Sequence, residues 1–81
     1  MTKEEKITIA YQVIKAQNRI EVERIISEVK QYLGISDIFI DGLNNILNVI
    51  EYDVKKGYER QAISNAYKLI SDLEEIAMLV D

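Results

Sequence analysis

The sequence predicts an all-α protein: a small three-helix bundle with a long first helix and an antiparallel helical hairpin, forming one domain over residues 1–81. Three observations support this fold class. Apolar residues recur every three or four positions, which is the spacing of one helix face. The chain has no proline, the residue that most strongly interrupts helices. Isolated glycines at Gly34 and Gly57 divide the pattern into segments of helical length.

The first segment is predicted to start at Thr2 and to end at Gly34. Thr2 and Glu5 have the spacing of a capping box, in which each side chain accepts a hydrogen bond from a free backbone N–H. Gly34 suits a left-handed helix C-cap, and Ile35 is placed to fold back on the last turn. The stripe that defines this helix consists of Ile7, Tyr11, Ile14, Val22, Ile25, Val29 and Tyr32.

Asn18 interrupts this stripe, and two interpretations follow. In the first, which we favour because nothing near Asn18 forbids it, one helix of about thirty residues runs through it. A lone Asn in a helical seam then fixes register and oligomeric state. In the second, Asn18 and Glu21 form another capping box, and the helix breaks at Gln17 and Asn18.

The second helix is predicted to begin at Ser36 or Asp37, both good N-caps, and to stop at Gly57. Gly42 then lies inside it, at a cost of about 1 kcal/mol relative to alanine. Its apolar face comprises Phe39 or Ile40, followed by Leu43, Ile46, Leu47, Ile50 and Val54.

The third helix is predicted from about Glu59 to Val80. Its stripe comprises Ala62 or Ile63, Ala66, Leu69 or Ile70, Leu73, Ile76 or Ala77, and Val80. The short connection at Gly57 requires the last two helices to pack antiparallel or at a sharp angle.

Apolar residues cover more than one face of the chain's C-terminal end. Residues 76–80 are Ile, Ala, Met, Leu and Val, and they cannot all face one three-helix core. A short chain that is 48% hydrophobic also gains from burying surface against a partner. We therefore expect a homodimer whose seam includes Tyr11, Ile14, Asn18, Met78 and Leu79.

The composition argues against an enzyme. The chain has no histidine and no cysteine, so the commonest general base and the commonest metal ligands are missing. The serines therefore have no histidine base, and the three glycines are isolated rather than grouped in a phosphate loop. We interpret Glu21, Glu28, Asp72, Glu74 and Glu75 as a solvated acidic face. No catalytic, metal or cofactor site is predicted.

Charge and hydropathy favour a cytoplasmic protein with no membrane role. No signal peptide and no apolar run of about 20 residues is visible. Residues 1–34 have a net charge of +1, whereas residues 35–81 have a net charge of −5. An acidic surface repels phosphate backbones, so nucleic acid is an unlikely partner.

One stretch nevertheless resembles the DNA-binding helix-turn-helix motif. Residues 29–43 read VKQYLGISDIFIDGL, and the residues that match the buried positions of the motif are Val29, Leu33, Gly34, Ile35, Ile40 and Leu43. Lys30 departs from the pattern, because a small residue usually stands where the two helices cross. The resemblance implies a DNA-binding transcriptional regulator, which is our alternative function. The outward residues oppose it, since two carboxylates and two large apolar groups read a groove poorly.

The function that we predict is a small non-enzymatic protein–protein interaction module: an adaptor, an inhibitor, or an antitoxin-like or immunity-like protein. Ile38 and Phe39 are the candidate partner anchor. Ile38 falls off the apolar stripe, and Asp37 and Asp41 flank the pair. An exposed apolar pair at a helix start is a plausible docking point. The alternative is that the pair is buried against the third helix.

Overall fold

Residues 1–80 form four α-helices, rather than the three predicted. The computed structural model describes residues 1–80, and its helices are α1 (Lys3–Lys15), α2 (Arg19–Tyr32), α3 (Leu43–Lys56) and α4 (Glu59–Leu79). Asp81, the last residue of the predicted domain, lies outside the described residues. The all-α prediction is confirmed for residues 1–80, where every helix is an α-helix and no strand is present.

The capping box predicted at the start of α1 is confirmed. The Thr2 hydroxyl accepts a hydrogen bond from the Glu5 backbone N–H at 3.1 Å. In return, the Glu5 carboxylate accepts one from the Thr2 N–H at 2.8 Å. Two of the free N–H groups at the helix start are therefore satisfied by side chains.

The continuous first helix is wrong, because the chain leaves the helical conformation at Ala16 and resumes it at Arg19. Asn18 is extended (φ −154°, ψ 172°), and its side chain accepts from the Glu21 N–H at 2.9 Å. The Gln17 N–H donates to the Glu21 carboxylate at 3.3 Å. The second interpretation is therefore correct in its break at Gln17 and Asn18. The capping box that it predicted is only half formed, because the Glu21 carboxylate accepts from the Gln17 N–H and not from the Asn18 N–H. The break allows α1 and α2 to fold together, and Ile14, Ile25 and Val29 of the predicted stripe lie in the core. Tyr11 and Tyr32 of the same stripe are instead 42% and 69% exposed.

The predicted glycine stops at the ends of α2 and α3 are confirmed. Gly34 and Gly57 have left-handed φ values of 77° and 78°. The Ile35 N–H donates to the Lys30 carbonyl at 2.9 Å, and the Gly34 N–H donates to the Gln31 carbonyl at 3.1 Å. This pair of bonds is a Schellman motif, which satisfies carbonyls that the helix end leaves free. Ile35 folds back into the core as expected.

The helix predicted from Ser36 or Asp37 begins instead at Leu43, after a loop over residues 36–42. Ile38 and Ile40 are partly buried against the core, whereas Phe39 between them is exposed. This alternation has the two-residue period of extended chain, which outweighs the helical spacing of the same apolar residues. Gly42, with φ of 79°, turns the chain into α3 and does not lie inside a helix.

A single apolar core joins the four helices, with α4 packed against both α1 and α3. α1 and α4 are antiparallel, since Lys6 near the start of α1 reaches Ser71 and Glu74 near the end of α4. The buried core residues are Ala10, Val13, Ile14, Ile25, Ile26, Val29, Ile35, Leu47, Ile50, Ala62, Ala66, Leu69, Ile70 and Leu73. No helix within residues 1–80 has the length and hydropathy needed to cross a membrane.

Candidate functional site

The loop between α2 and α3 presents Phe39 to solvent. Its side chain is 87% exposed, the largest fraction for any large hydrophobic residue that the structure describes. The loop is held on both sides of this residue. The Ile38 N–H donates to the Ile35 carbonyl at 3.0 Å, and the Leu43 N–H donates to the Ile40 carbonyl at 3.4 Å. The phenyl ring therefore projects from a loop whose ends are hydrogen-bonded and whose neighbouring isoleucines are packed.

The four predicted partner-binding residues do not have the same surroundings. Phe39, Asp37 and Asp41 are on the surface, so the loop carries an aromatic ring between two carboxylates. Ile38 packs against the core and is only partly exposed. The predicted apolar pair is therefore one exposed phenyl ring beside one isoleucine that packs on the core. Lys30 of α2 and Asn44 and Asn45 of α3 line the same surface pocket as Phe39.

The predicted dimer-seam residues are likewise divided between surface and core. Met78 and Leu79 near the end of α4 are 76% and 84% exposed, and Tyr11 is 42% exposed. Ile14 instead lies in the core of the single chain, so its side chain is not free on the surface. Asn18 is exposed, but its side chain is used to cap α2.

A groove of about 580 Å³ runs between α1 and α4, and we call it the α1/α4 groove. Its lining residues are Lys3, Ile7, Tyr11, Glu59, Arg60, Ile63, Ser64 and Tyr67. Its apolar part consists of two isoleucines and two tyrosines, and its charged lining residues are Lys3 of α1 and Glu59 and Arg60 of α4. The sequence identified Tyr11 as a candidate interface residue and predicted helices in both of these segments. It did not predict that α1 packs against the first half of α4.

Asp53 and Asn65 form a polar pair that sequence reasoning missed. Asp53 is 4% exposed, and the Asn65 side-chain amide donates to its carboxylate at 2.8 Å. The sequence did contain a signal for this pair. Asp53 lies three residues after Ile50, which lies three residues after Leu47, so Asp53 continues the buried face of α3. Val54, which was predicted in the apolar face, is instead 41% exposed. The carboxylate therefore occupies a buried place on α3 and depends on a donor from α4.

No group of three carboxylates within residues 1–80 lies close enough to hold a metal ion. Glu74 makes ion pairs instead. It accepts from the Met1 amino group at 2.8 Å and from Lys6 at 3.3 Å. Both hydrogen bonds hold the pKa of Glu74 below its usual value, and the bond from the Met1 amino group has the larger effect. The bond to Glu74 likewise raises the pKa of Lys6.

The Lys6 ammonium also lies 3.4 Å from the Ser71 hydroxyl, which is the pairing that a serine nucleophile with a lysine base would need. Such a base must be neutral near pH 7, so its pKa must be lowered. Glu74 shifts the pKa of Lys6 in the opposite direction. The contact therefore ties α1 to α4.

The Glu74 interactions predict a pH-dependent contribution to stability. A folded pKa below that of the unfolded chain stabilises the protein above about pH 4.3, and this contribution is lost as the pH falls through the folded pKa. Glu74→Gln should therefore melt below wild type at pH 7, and the difference should shrink toward pH 3. Thermal melts from pH 3 to pH 7 measure it. Glu23→Gln removes a charge that is exposed and has no ion-pair partner among residues 1–80, so its difference from wild type should stay small. A constant deficit for Glu74→Gln would refute this assignment.

Nothing matches this chain in comparisons with protein-family models, with curated proteins or with solved structures. The site is therefore interpreted from its own geometry.

Proposed function

We propose that the chain is a small non-enzymatic protein–protein interaction module, of the adaptor, inhibitor, antitoxin-like or immunity-like kind, which docks its partner through Phe39. The exposure of Phe39 carries this proposal. A phenyl ring held in water gives up the free energy that burial would supply, about 1.5–3 kcal/mol. A loop fixed at both ends loses little further freedom when a partner covers the ring, so that free energy is retained for binding.

The flanking charges define the partner's chemistry. Asp37 and Asp41 are exposed on either side of the ring. A complementary site would be an apolar pocket of phenyl size bordered by lysine or arginine side chains. The proposal places the protein in the cytoplasm as a homodimer. The lack of cysteine suits a reducing compartment, and the uncovered apolar residues at the end of α4 suit self-association.

The test uses the tagged chain to capture proteins from a lysate of its source cells. Phe39→Asp should lose the captured partner and keep the wild-type melting temperature, because the side chain contributes nothing to the core. Ile20→Asp is the matched control, since Ile20 is also highly exposed but lies on α2. Ile38→Asp should lower the melting temperature, because Ile38 packs on the core. A partner that Phe39→Asp captures as well as wild type does would overturn the proposal.

The alternative function, a DNA-binding regulator built on residues 29–43, has less support. Residues 36–42 would open its recognition helix, and they form a loop in this structure. The outward charges of Asp37 and Asp41 also oppose phosphate binding. A salt titration distinguishes the two functions, because DNA binding weakens steeply with salt. Docking of one apolar ring flanked by two carboxylates should weaken much less, since salt screens only the two flanking charges.

A further inference from the structure

The connection between α1 and α2, which we call the joint, consists of Ala16, Gln17 and Asn18. It contains neither proline nor glycine, and alanine and glutamine are among the best helix formers. A continuous helix would make backbone hydrogen bonds across it, from the N–H groups of residues 17–20 to the carbonyls of residues 13–16. The structure describes all of these residues and has none of these bonds. The joint therefore bends although its own sequence allows a helix.

Few contacts hold the joint bent. The Asn18 side chain accepts from the Glu21 N–H, and the Gln17 N–H donates to the Glu21 carboxylate. A cavity of about 340 Å³ lies beside the joint, and all three joint residues line it. The apolar side chains that line the same cavity are those of Val13, Ile14, Val22, Leu47, Ile50 and Val54. Residues that border open space lack packing partners on that side, so packing there does not fix the bend.

The contacts of α1 with α4 do not depend on which copy of the chain supplies α1. α1 packs more extensively against α4 than against α2. The Met1 amino group and Lys6 bind Glu74 at 2.8 and 3.3 Å. The Lys6 ammonium also lies 5.1 Å from the centre of the Tyr67 ring. None of these residues belongs to the joint, so an α1 from a second copy can form the same contacts.

We propose that two copies of this chain exchange α1. The joint straightens, residues 3–32 become one helix, and α1 of each copy packs against α4 of the other. The proposal rests on the homodimer of the proposed function and assigns its interface. The exchange repeats the same contact twice around a two-fold axis, so it closes at two copies. It needs no free surface on α4, because the α1 of one copy takes the place that the α1 of the other leaves.

The exchange places Asn18 close to the two-fold axis. Within one chain α1 and α2 run antiparallel, because Met1 before α1 and Tyr32 at the end of α2 line the same groove. After the exchange, α1 of one copy lies beside α2 of the other, so the two long helices are also antiparallel. Asn18 is close to the midpoint of residues 3–32, and the two Asn18 side chains therefore meet near the axis. A lone Asn at such a place fixes register at a cost in stability.

The exchange also accounts for part of the predicted dimer seam. Tyr11, Ile14 and Asn18 then lie at contacts between copies, whereas Met78 and Leu79 stay outside them. Phe39 lies on the loop after α2, beyond the exchanged helix. The surface proposed for partner docking is therefore the same in the single chain and in the dimer.

Sedimentation velocity on the full chain, refolded from denaturant at low and at high protein concentration, tests the exchange. The dimer fraction of wild type should increase with the refolding concentration. Asn18→Ala should raise the dimer association constant at least about tenfold, because the cap that holds the bend is lost once in each copy. Asn18→Ser is the matched control, since serine keeps a cap, and it should behave as wild type does. Wild type that is monomeric at every concentration would overturn the exchange, as would an Asn18→Ala variant with no more dimer than Asn18→Ser.

Gln17→Pro should remain a monomer at every refolding concentration, because a proline at this position interrupts a continuous helix. The bent joint accommodates it. Ala16 is already extended (φ −62°, ψ 141°), which is the conformation that a residue before proline requires. Circular dichroism confirms that the variant is folded. A folded Gln17→Pro variant that dimerises as wild type does would show that the helices are not exchanged.

A charge reversal at the contact of Lys6 with Glu74 gives a second test, which does not depend on the joint. Lys6→Glu and Glu74→Lys each place like charges at this contact, whether α1 is exchanged or not. If α1 is exchanged, a mixed dimer of the two variants has one wild-type contact and one with both charges reversed. An equimolar mixture, refolded together, should therefore dimerise at least about tenfold more strongly than either variant alone. A mixture that dimerises no better than its components would refute the exchange, because an unexchanged α1 always meets the α4 of its own chain.

The outcomes separate this inference from the proposed function. If wild type and Gln17→Pro are equally dimeric and the mixture shows no gain, the exchange fails and the homodimer stands. If the chain is monomeric but captures a partner that depends on Phe39, the exchange fails and the docking function stands. If the joint variants and the mixture behave as expected but no Phe39-dependent partner is captured, the exchange stands and the docking function fails.

Discussion

Leu73→Ala should lower the free energy of unfolding by about 2–5 kcal/mol, the range found when large core residues are truncated. The Leu73 side chain is 0% exposed and lies on the core face of α4, the helix that packs against both α1 and α3. Removing its methyl groups leaves a cavity that the surrounding helices must collapse around or leave empty. For a domain of this size, roughly 4–8 °C of melting temperature corresponds to each kcal/mol.

Thermal melts of Leu73→Ala beside Leu79→Ala measure this effect with a matched control. Leu79 lies six residues nearer the end of the same helix and is mostly exposed, so the same truncation there should change stability little. The control is measured at a concentration where the chain is monomeric. Equal losses for the two variants would mean that the buried face of α4 is assigned incorrectly.

The helix ends that have a local chemical cause were predictable from the sequence. The capping box at Thr2 and the stops at Gly34 and Gly57 depend on residues within one turn, and the structure has all three. The break at Asn18 was visible as a second cap but could not be decided locally. It depends on whether one long helix or two packed helices bury more apolar surface in a single chain, which is a tertiary question.

The loop over residues 36–42 shows where local reasoning fails. Phe39 or Ile40 can continue a helical stripe, but Ile38 and Ile40 also fit a two-residue alternation, and good N-caps precede all three residues. The prediction of a helix from Ser36 or Asp37 placed Gly42 in the helix interior. In the structure Gly42 takes a left-handed conformation, and this flexibility is used to turn the chain. The error moved the start of α3 by six or seven residues, yet it left Phe39 on the surface.

The candidate surfaces were predictable only in part. The pair Ile38 and Phe39 was chosen because Ile38 falls off the predicted core stripe, and Met78 and Leu79 were chosen because residues 76–80 cannot all face one core. The structure exposes Phe39, Met78 and Leu79. It packs Ile38 against the core, so the reason for choosing the pair was wrong although one of its members is on the surface. The α1/α4 groove could not be derived, because it is made by two segments about fifty residues apart. The same limit hid the pairing of Asp53 with Asn65, whose partner side chains come from different helices.

Asn65→Asp should destabilise the protein by about 2–4 kcal/mol at pH 7. In wild type the Asn65 amide donates to the buried Asp53 carboxylate at 2.8 Å. Aspartate has nearly the same shape as asparagine, so the change leaves packing intact while it replaces a donor by a second negative charge. A buried carboxylate then loses its partner and faces a like charge at hydrogen-bond distance.

The pH dependence distinguishes this cause from a packing defect. Two facing carboxyls share a proton readily, because the protonated one donates to the other. The folded variant therefore takes up a proton at a higher pH than the unfolded chain does. Its deficit relative to wild type should shrink as the pH falls toward about 4, the region where ordinary aspartates titrate. Denaturant unfolding of Asn65→Asp at pH 7 and pH 4, beside the exposed-site control Asn45→Asp, measures this. A deficit that is the same at both pH values would show that the Asp53–Asn65 hydrogen bond is not its source.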